Sequence, residues 1–178
     1  MASFSDAHEC DEIPIIAANM HRMILPRQSQ IWAVVKAGQP LQKLYYQICS
    51  GLLGRLCFSG EPDALSAAQW TVMDEGTAFY GKAASIIDHG VSQRFGSRII
   101  SYRAPKGWQA VVRRGETQTL VVVHTFGAAP EAVTLPEGGK IAAQLMREGL
   151  TVTHLDGQLA VHGLTDFDAA AFILENEG

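Results

Sequence analysis

The stretch WQAVVRRGETQTLVVVHTF, from Trp108 to Phe126, spells out two strands and the turn between them. Trp108, Ala110 and Val112 alternate with polar or outward positions, the period of a pleated strand. Arg114-Gly115-Glu116 reads as a tight reversal, and Thr119 to Phe126 as a long strand rich in β-branched residues. Toward the C-terminus, turn punctuation recurs at Ala128-Ala129-Pro130, Pro136-Glu137-Gly138-Gly139, Asp156-Gly157 and His162-Gly163. Between those turns lie short apolar runs around Val133 to Leu135, Ile141 to Met146, Leu150 to Thr153, Leu159 to Val161 and Ala170 to Leu174. Short strands at this spacing predict an antiparallel β-sandwich over residues 91–178.

Toward the N-terminus the period changes near Gly90. Leu41, Leu44, Tyr45, Ile48 and Leu52 recur at helical spacing and share one face, with Gly54 as the expected stop. A second helix opens at Ser66, which forms a capping box with Gln69, while Leu65 and Trp70 occupy the staple positions around it. Its stripe runs through Gln69, Met73, Gly76, Tyr80, Ala83 and Ile87 to His89-Gly90. Two strand-length runs, Ile31 to Val35 and Leu56 to Phe58, each stand next to a helix. That order predicts parallel strands with helical crossovers over residues 1–90. The absence of any low-complexity linker leaves the two halves packed directly together.

Composition narrows the function. The 178 residues are 47% hydrophobic and 18% charged, with mean hydropathy +0.06, a foldable chain. Net charge is -4, and the 14 Lys and Arg residues are scattered, so no basic stripe is offered to nucleic acid. Runs such as Leu120 to Val123 fall far short of the ~20 residues of a membrane helix. Cys10, Cys49 and Cys57 cannot all pair and read as reduced thiols, which predicts a cytoplasmic protein.

The densest polar cluster is Ser5-Asp6-Ala7-His8-Glu9-Cys10-Asp11-Glu12. Two carboxyls at a strand end can share acid and nucleophile roles on a sugar, and acids in such a cluster also suit a solvated tail or a helix N-terminus. His8, Glu9 and Cys10 are successive and point apart, which disfavours a metal. His154, Asp156 and His162 surround a turn and read as surface groups. Cys49 and Cys57 lack a neighbouring base motif. Gly51, Gly54 and Gly60 lack the Lys-Ser/Thr ending of a phosphate loop. Trp32, Trp70 and Trp108 read as strand or cap residues of the core. No cofactor is implied.

The order of several segments carries a resemblance. Ser3-Phe4-Ser5-Asp6-Ala7-His8-Glu9, then Ile13-Pro14-Ile15-Ile16-Ala17-Ala18-Asn19, then Leu25 to Val34, resembles glycoside hydrolase family 36, and within it the melibiase-like α-galactosidases. Leu53 to Gly60 resembles their last barrel strand, and the β-rich half resembles their C-terminal sandwich. The resemblance implies the last strands and helices of a (β/α)8 barrel over residues 1–90, followed by the sandwich over 91–178. It implies retaining hydrolysis of terminal α-galactosyl groups of oligosaccharides. Asp6 maps onto the acid/base, with Ser5 and Glu9 beside the substrate. The family's nucleophile lies in a Lys-Trp-Asp motif, which this sequence does not contain, and no Trp stands shortly before Ser5. A chain that starts at the acid/base is expected to be inactive alone. Three barrel strands cannot close, so the strand from Ile31 to Val35 is expected to leave an edge open. That predicts self-association or a partner carrying the missing N-terminal part. A non-catalytic sandwich displaying Trp108, Tyr102 and Phe126 to a glycan is the competing expectation.

Overall fold

The computed structural model describes the backbone of residues 2–4 and residues 10–176 in full. The first half alternates strand and helix: β1 (Ala2–Phe4), α1 (Ile13–Met20), β2 (Ser29–Val35), α2 (Leu41–Gly51), β3 (Arg55–Gly60) and α3 (Ala67–His89). β1 pairs parallel with β2 and β2 parallel with β3, in the order β1-β2-β3. The expected parallel strands with helical crossovers are therefore present. The strand around Ile31 is not an edge, however. β2 sits centrally because residues 2–4 add a strand beside it, a third strand that the resemblance implied but the apolar pattern did not mark. Its Ile31, Ala33 and Val35 are fully buried, while Trp32 and Val34 on the other face are half-buried.

α2 buries Leu44, Tyr45 and Ile48, as its spacing predicts, with Leu52 at its end; Leu41 remains 40% exposed at the first turn. The helix ends before Gly54, so that glycine is no helix stop. A Cβ there would lie 2.6 Å from the Ser29 carbonyl oxygen, and Gly54 instead lets β3 start hard against β2. α3 opens with the predicted box. The Gln69 amide N–H donates to Ser66 Oγ at 3.3 Å, and Ser66 N–H donates to Gln69 Oε1 at 3.0 Å. Trp70, at the staple position, is 44% exposed and adds little to the core. Ser66→Ala removes the acceptor of the Gln69 backbone N–H at this cap, and urea unfolding should show a loss of about 1 kcal/mol.

The second half holds β4 (Val91–Gly96), β5 (Trp108–Arg114), β6 (Gln118–Thr125), β7 (Ala132–Leu135), β8 (Lys140–Met146), β9 (Thr151–Leu155), β10 (Gln158–His162) and β11 (Ala169–Glu175). They form two antiparallel sheets, β4-β5-β6-β11-β8 and β7-β10-β9. The reversal at Gly115 is closed by its N–H donating to the Gln118 carbonyl at 2.8 Å. The central strands of the five-stranded sheet, β5, β6 and β11, are buried on both faces. Ala110, Val112, Val121, Val123, Phe172 and Leu174 meet Val133, Leu135, Leu159 and Val161 of the smaller sheet. The alternate residues, Val111, Leu120, Val122, Ala171 and Ile173, share a core with the inner faces of α1, α2 and α3. Burial on both faces is why β6 and β11 read as continuous apolar runs rather than alternations. The two halves thus share one hydrophobic core.

Candidate functional site

The three parallel strands run the same way, so their carboxyl ends form one rim. Ligands of parallel sheets bind outside that rim, where loops carry side chains the strands hold fixed. Ser5 and Asp6 follow directly in sequence on the last residue of β1. Ser5, Asp6 and Glu9, with His8, lie outside the described residues.

The chain on the far side of that segment is firmly held. Cys10–Glu12 forms a single 3-10 turn. The Asp11 carboxylate pairs with Lys43 of α2, and its carbonyl accepts from the Tyr46 hydroxyl at 2.9 Å. The Lys43 ammonium sits 5.2 Å from the centre of the Tyr46 ring and 5.9 Å from that of Phe167. Burial pushes the Cys10 thiol up against the pull of Lys43, which disfavours the thiolate. The fully buried Cys49 thiol is likewise pushed up by burial. All three cysteines are free.

At the carboxyl end of β2 the turn through Lys36 and Gln39 is fixed by side-chain amides. Lys36 N–H donates to Gln39 Oε1 at 3.1 Å. Gln69 Nε2 donates to the carbonyls of Lys36 and Gln39 at 3.1 and 3.2 Å. One buried side chain therefore caps α3 with its oxygen and pins the β2 loop with its nitrogen. At the end of β3, Glu61 N–H donates to the Val35 carbonyl at 2.9 Å, drawing the two strand ends together. Lys36, Glu61 and Asp63 remain exposed on this rim. Sequence reasoning missed Lys36 and Gln39, although their place just after a predicted strand was available, and read Gln69 as a cap and stripe residue without its bonds to the β2 loop.

Other candidates separate. His154 Nε2 lies 3.1 Å from the Glu137 carbonyl and His162 Nε2 lies 3.3 Å from Thr153 Oγ1. Among the described residues no three His, Cys, Asp or Glu side chains are grouped to hold a metal. Of the aromatics offered to a glycan, Phe126 is fully buried and Trp108 half-buried; Tyr102 is 45% exposed and its hydroxyl accepts from Asn19 Nδ2 at 3.1 Å. They do not form a displayed platform. Among the described residues no helix is long and apolar enough to cross a membrane.

Comparison with solved structures then places the architecture. The family 36 α-galactosidase of Geobacillus stearothermophilus in complex with raffinose superposes with a TM-score of 0.68 at 14% identity, over 96% of this chain and 25% of that one. Its fold is that of the C-terminal part of family 36 α-galactosidases. The α-galactosidase of Lactobacillus brevis gives a TM-score of 0.66 at 9% identity, over 98% of this chain and 26% of that one. An α-amylase from H. orenii matches less well, with a TM-score of 0.52 at 10% identity over 96% of this chain and 48% of that one. The chain spans about a quarter of the length of the α-galactosidases it matches. No protein-family model matches it, and no curated protein does.

Proposed function

We propose that this chain is the C-terminal part of a retaining α-galactosidase that hydrolyses terminal α-galactosyl groups of oligosaccharides. The observation that carries the reading is the agreement of fold with family 36 α-galactosidases over 96% of the chain. On this reading residues 1–90 are the last strands and helices of a (β/α)8 barrel, and 91–178 are the sandwich that follows it. The β-α-β-α-β-α order and the parallel pairing of β1, β2 and β3 support that division.

Asp6 is the proposed acid/base, with Ser5 and Glu9 beside the sugar. Placed just after β1, it would stand on the rim where barrel enzymes hold their catalytic groups. It gives its proton to the glycosidic oxygen as the bond to the anomeric carbon breaks, then takes one from the water that releases the sugar. A like charge on Glu9 would help keep Asp6 protonated for the first step. The attacking carboxylate must stand about 5–5.5 Å away. These residues contain no Lys-Trp-Asp motif to supply it, so a second polypeptide segment would. The three free thiols favour a reducing compartment such as the cytoplasm.

The test is hydrolysis of nitrophenyl α-galactoside by the chain alone, and after mixing with an N-terminal segment that carries the Lys-Trp-Asp motif. Activity is expected only in the mixture, and Asp6→Asn should lower it about a hundredfold or more. A mixture whose activity is untouched by Asp6→Asn would remove Asp6 from the mechanism. Turnover by the chain alone would overturn its inactivity in isolation.

A further inference from the structure

A pocket of about 160 Å³ lies between the end of α1 and strands β4 and β5, lined by His21, Arg22, Ser92 and Arg94 among others. Its charge is one-sided. Arg94 donates through Nη2 to the Ser97 carbonyl at 2.7 Å, and burial together with the nearby Arg22 charge lowers its pKa. Behind Ser92 stands Arg113, only 1% exposed. Its Nε donates to Ser92 Oγ at 2.9 Å and its Nη2 to the Leu53 carbonyl at 2.8 Å, while Nη1 has no partner. His21 lies against the Leu53 backbone, with neither ring nitrogen in a well-formed hydrogen bond. The ion pairs among the described residues join Lys43 to Asp11, Arg114 to Glu137 and Arg147 to Asp168. None reaches Arg22, Arg94 or Arg113.

Three guanidinium groups and an imidazole thus gather without a carboxylate, and buried donors left unpaired are costly. A guanidinium offers planar N–H pairs that match the oxygens of phosphate, and a low-dielectric wall strengthens that attraction. We infer that this pocket binds a small tetrahedral oxyanion of the phosphate type. Its size suits a free ion or a single phosphoryl group, with any attached body outside. The inference stands apart from the sugar chemistry proposed for the sheet rim and shares no residue with it.

The test is calorimetric titration of the whole chain with inorganic phosphate, against chloride at matched ionic strength, alongside thermal unfolding. Saturable binding and a rise in Tm that chloride does not reproduce are expected. Arg22→Gln and Arg94→Gln should each weaken binding about tenfold or more, the cost of a charge-assisted hydrogen bond. Lys140→Gln, on the opposite edge strand β8, should leave it unchanged. Arg22 is exposed, so Arg22→Gln retains the fold and gives a readable result even where an Arg113 variant does not. Equal effects of chloride and phosphate, or binding that survives both arginine variants, would overturn the site. A hexose phosphate titrated in parallel separates the sources: tighter binding than phosphate supports a phosphoryl group on a larger ligand, and weaker binding supports the free ion.

Discussion

Arg147→Ala is expected to cost about 3–5 kcal/mol of stability, read as a shift in the urea midpoint. The cause is the carboxylate it leaves behind. Asp168 is fully buried where the chain enters β11, and its Oδ2 accepts from Arg147 Nε at 2.9 Å and Nη2 at 2.6 Å. Thr165 N–H donates to the same oxygen at 3.2 Å, and Ala169 N–H donates to Oδ1 at 3.0 Å. Those amides orient the carboxylate but carry no full positive charge. Without the guanidinium, a charge in the interior faces neutral donors only. Arg147 also donates to the Gly163 carbonyl at 3.1 Å, so the loop before β11 loosens with it. Adding Asp168→Asn to Arg147→Ala should recover part of the loss, because the charge that needed the arginine is gone. A single-variant loss below about 1 kcal/mol would show the pair to be no better than a surface bridge.

Acid should weaken the fold well above the range where carboxylates titrate. His124 is fully buried beneath α2, with its Nε2 3.1 Å from Ser50 Oγ and 3.3 Å from the Tyr46 carbonyl, and Nδ1 without a partner. Its ring meets Tyr46 edge to face, with centroids 5.0 Å apart. Burial pulls its pKa down to about 3, against the pull of the Tyr46 carbonyl. His21 is held at about 3 by burial and by Arg113. In the unfolded chain both protonate near the ordinary histidine value of about 6.5. The unfolded state then binds more protons, so stability rises with pH across the window from about 3 to 6.5 and falls as pH drops through it. His124 alone accounts for about 1.4 kcal/mol per pH unit within that window. Glu137, whose carboxyl is pushed up by burial against the pull of Arg114, works in the opposite sense nearer the carboxylate range. Urea midpoints at pH 7 and pH 5 should differ clearly, and His124→Gln should flatten the difference. Equal midpoints at the two pH values in the unmodified chain would mean that His124 is already charged in the fold.

These buried groups mark where the sequence was legible and where it was not. The α3 cap at Ser66 and Gln69 was readable because a capping box is local, and the hairpin at Gly115 for the same reason. β4 escaped notice. Only Gly90 separates it from the end of α3, and its Val91, Gln93 and Gly96 are exposed, so no apolar alternation announces it. Ile13, Ile15, Ala17 and Ala18 of α1 are buried in a helix apolar almost all round, which blurs its period. The arginine pocket joins Arg22 to Arg94, distant in sequence and brought together only by packing. Ser5, Asp6 and Glu9 drew attention as a cluster of polar residues, and their part in the chemistry rests on resemblance.

The shared core bears on how such a chain can be recombined. Gly90 is a clean join in the order of elements, but not in autonomy. A piece cut there would expose Val111, Leu120, Val122 and Ile173 on one side and the inner faces of α2 and α3 on the other. Neither product is a self-sufficient cassette. A chimaera that trades one sandwich for another must also trade the helical residues that roof it, or accept a mismatched seam through the middle of the protein.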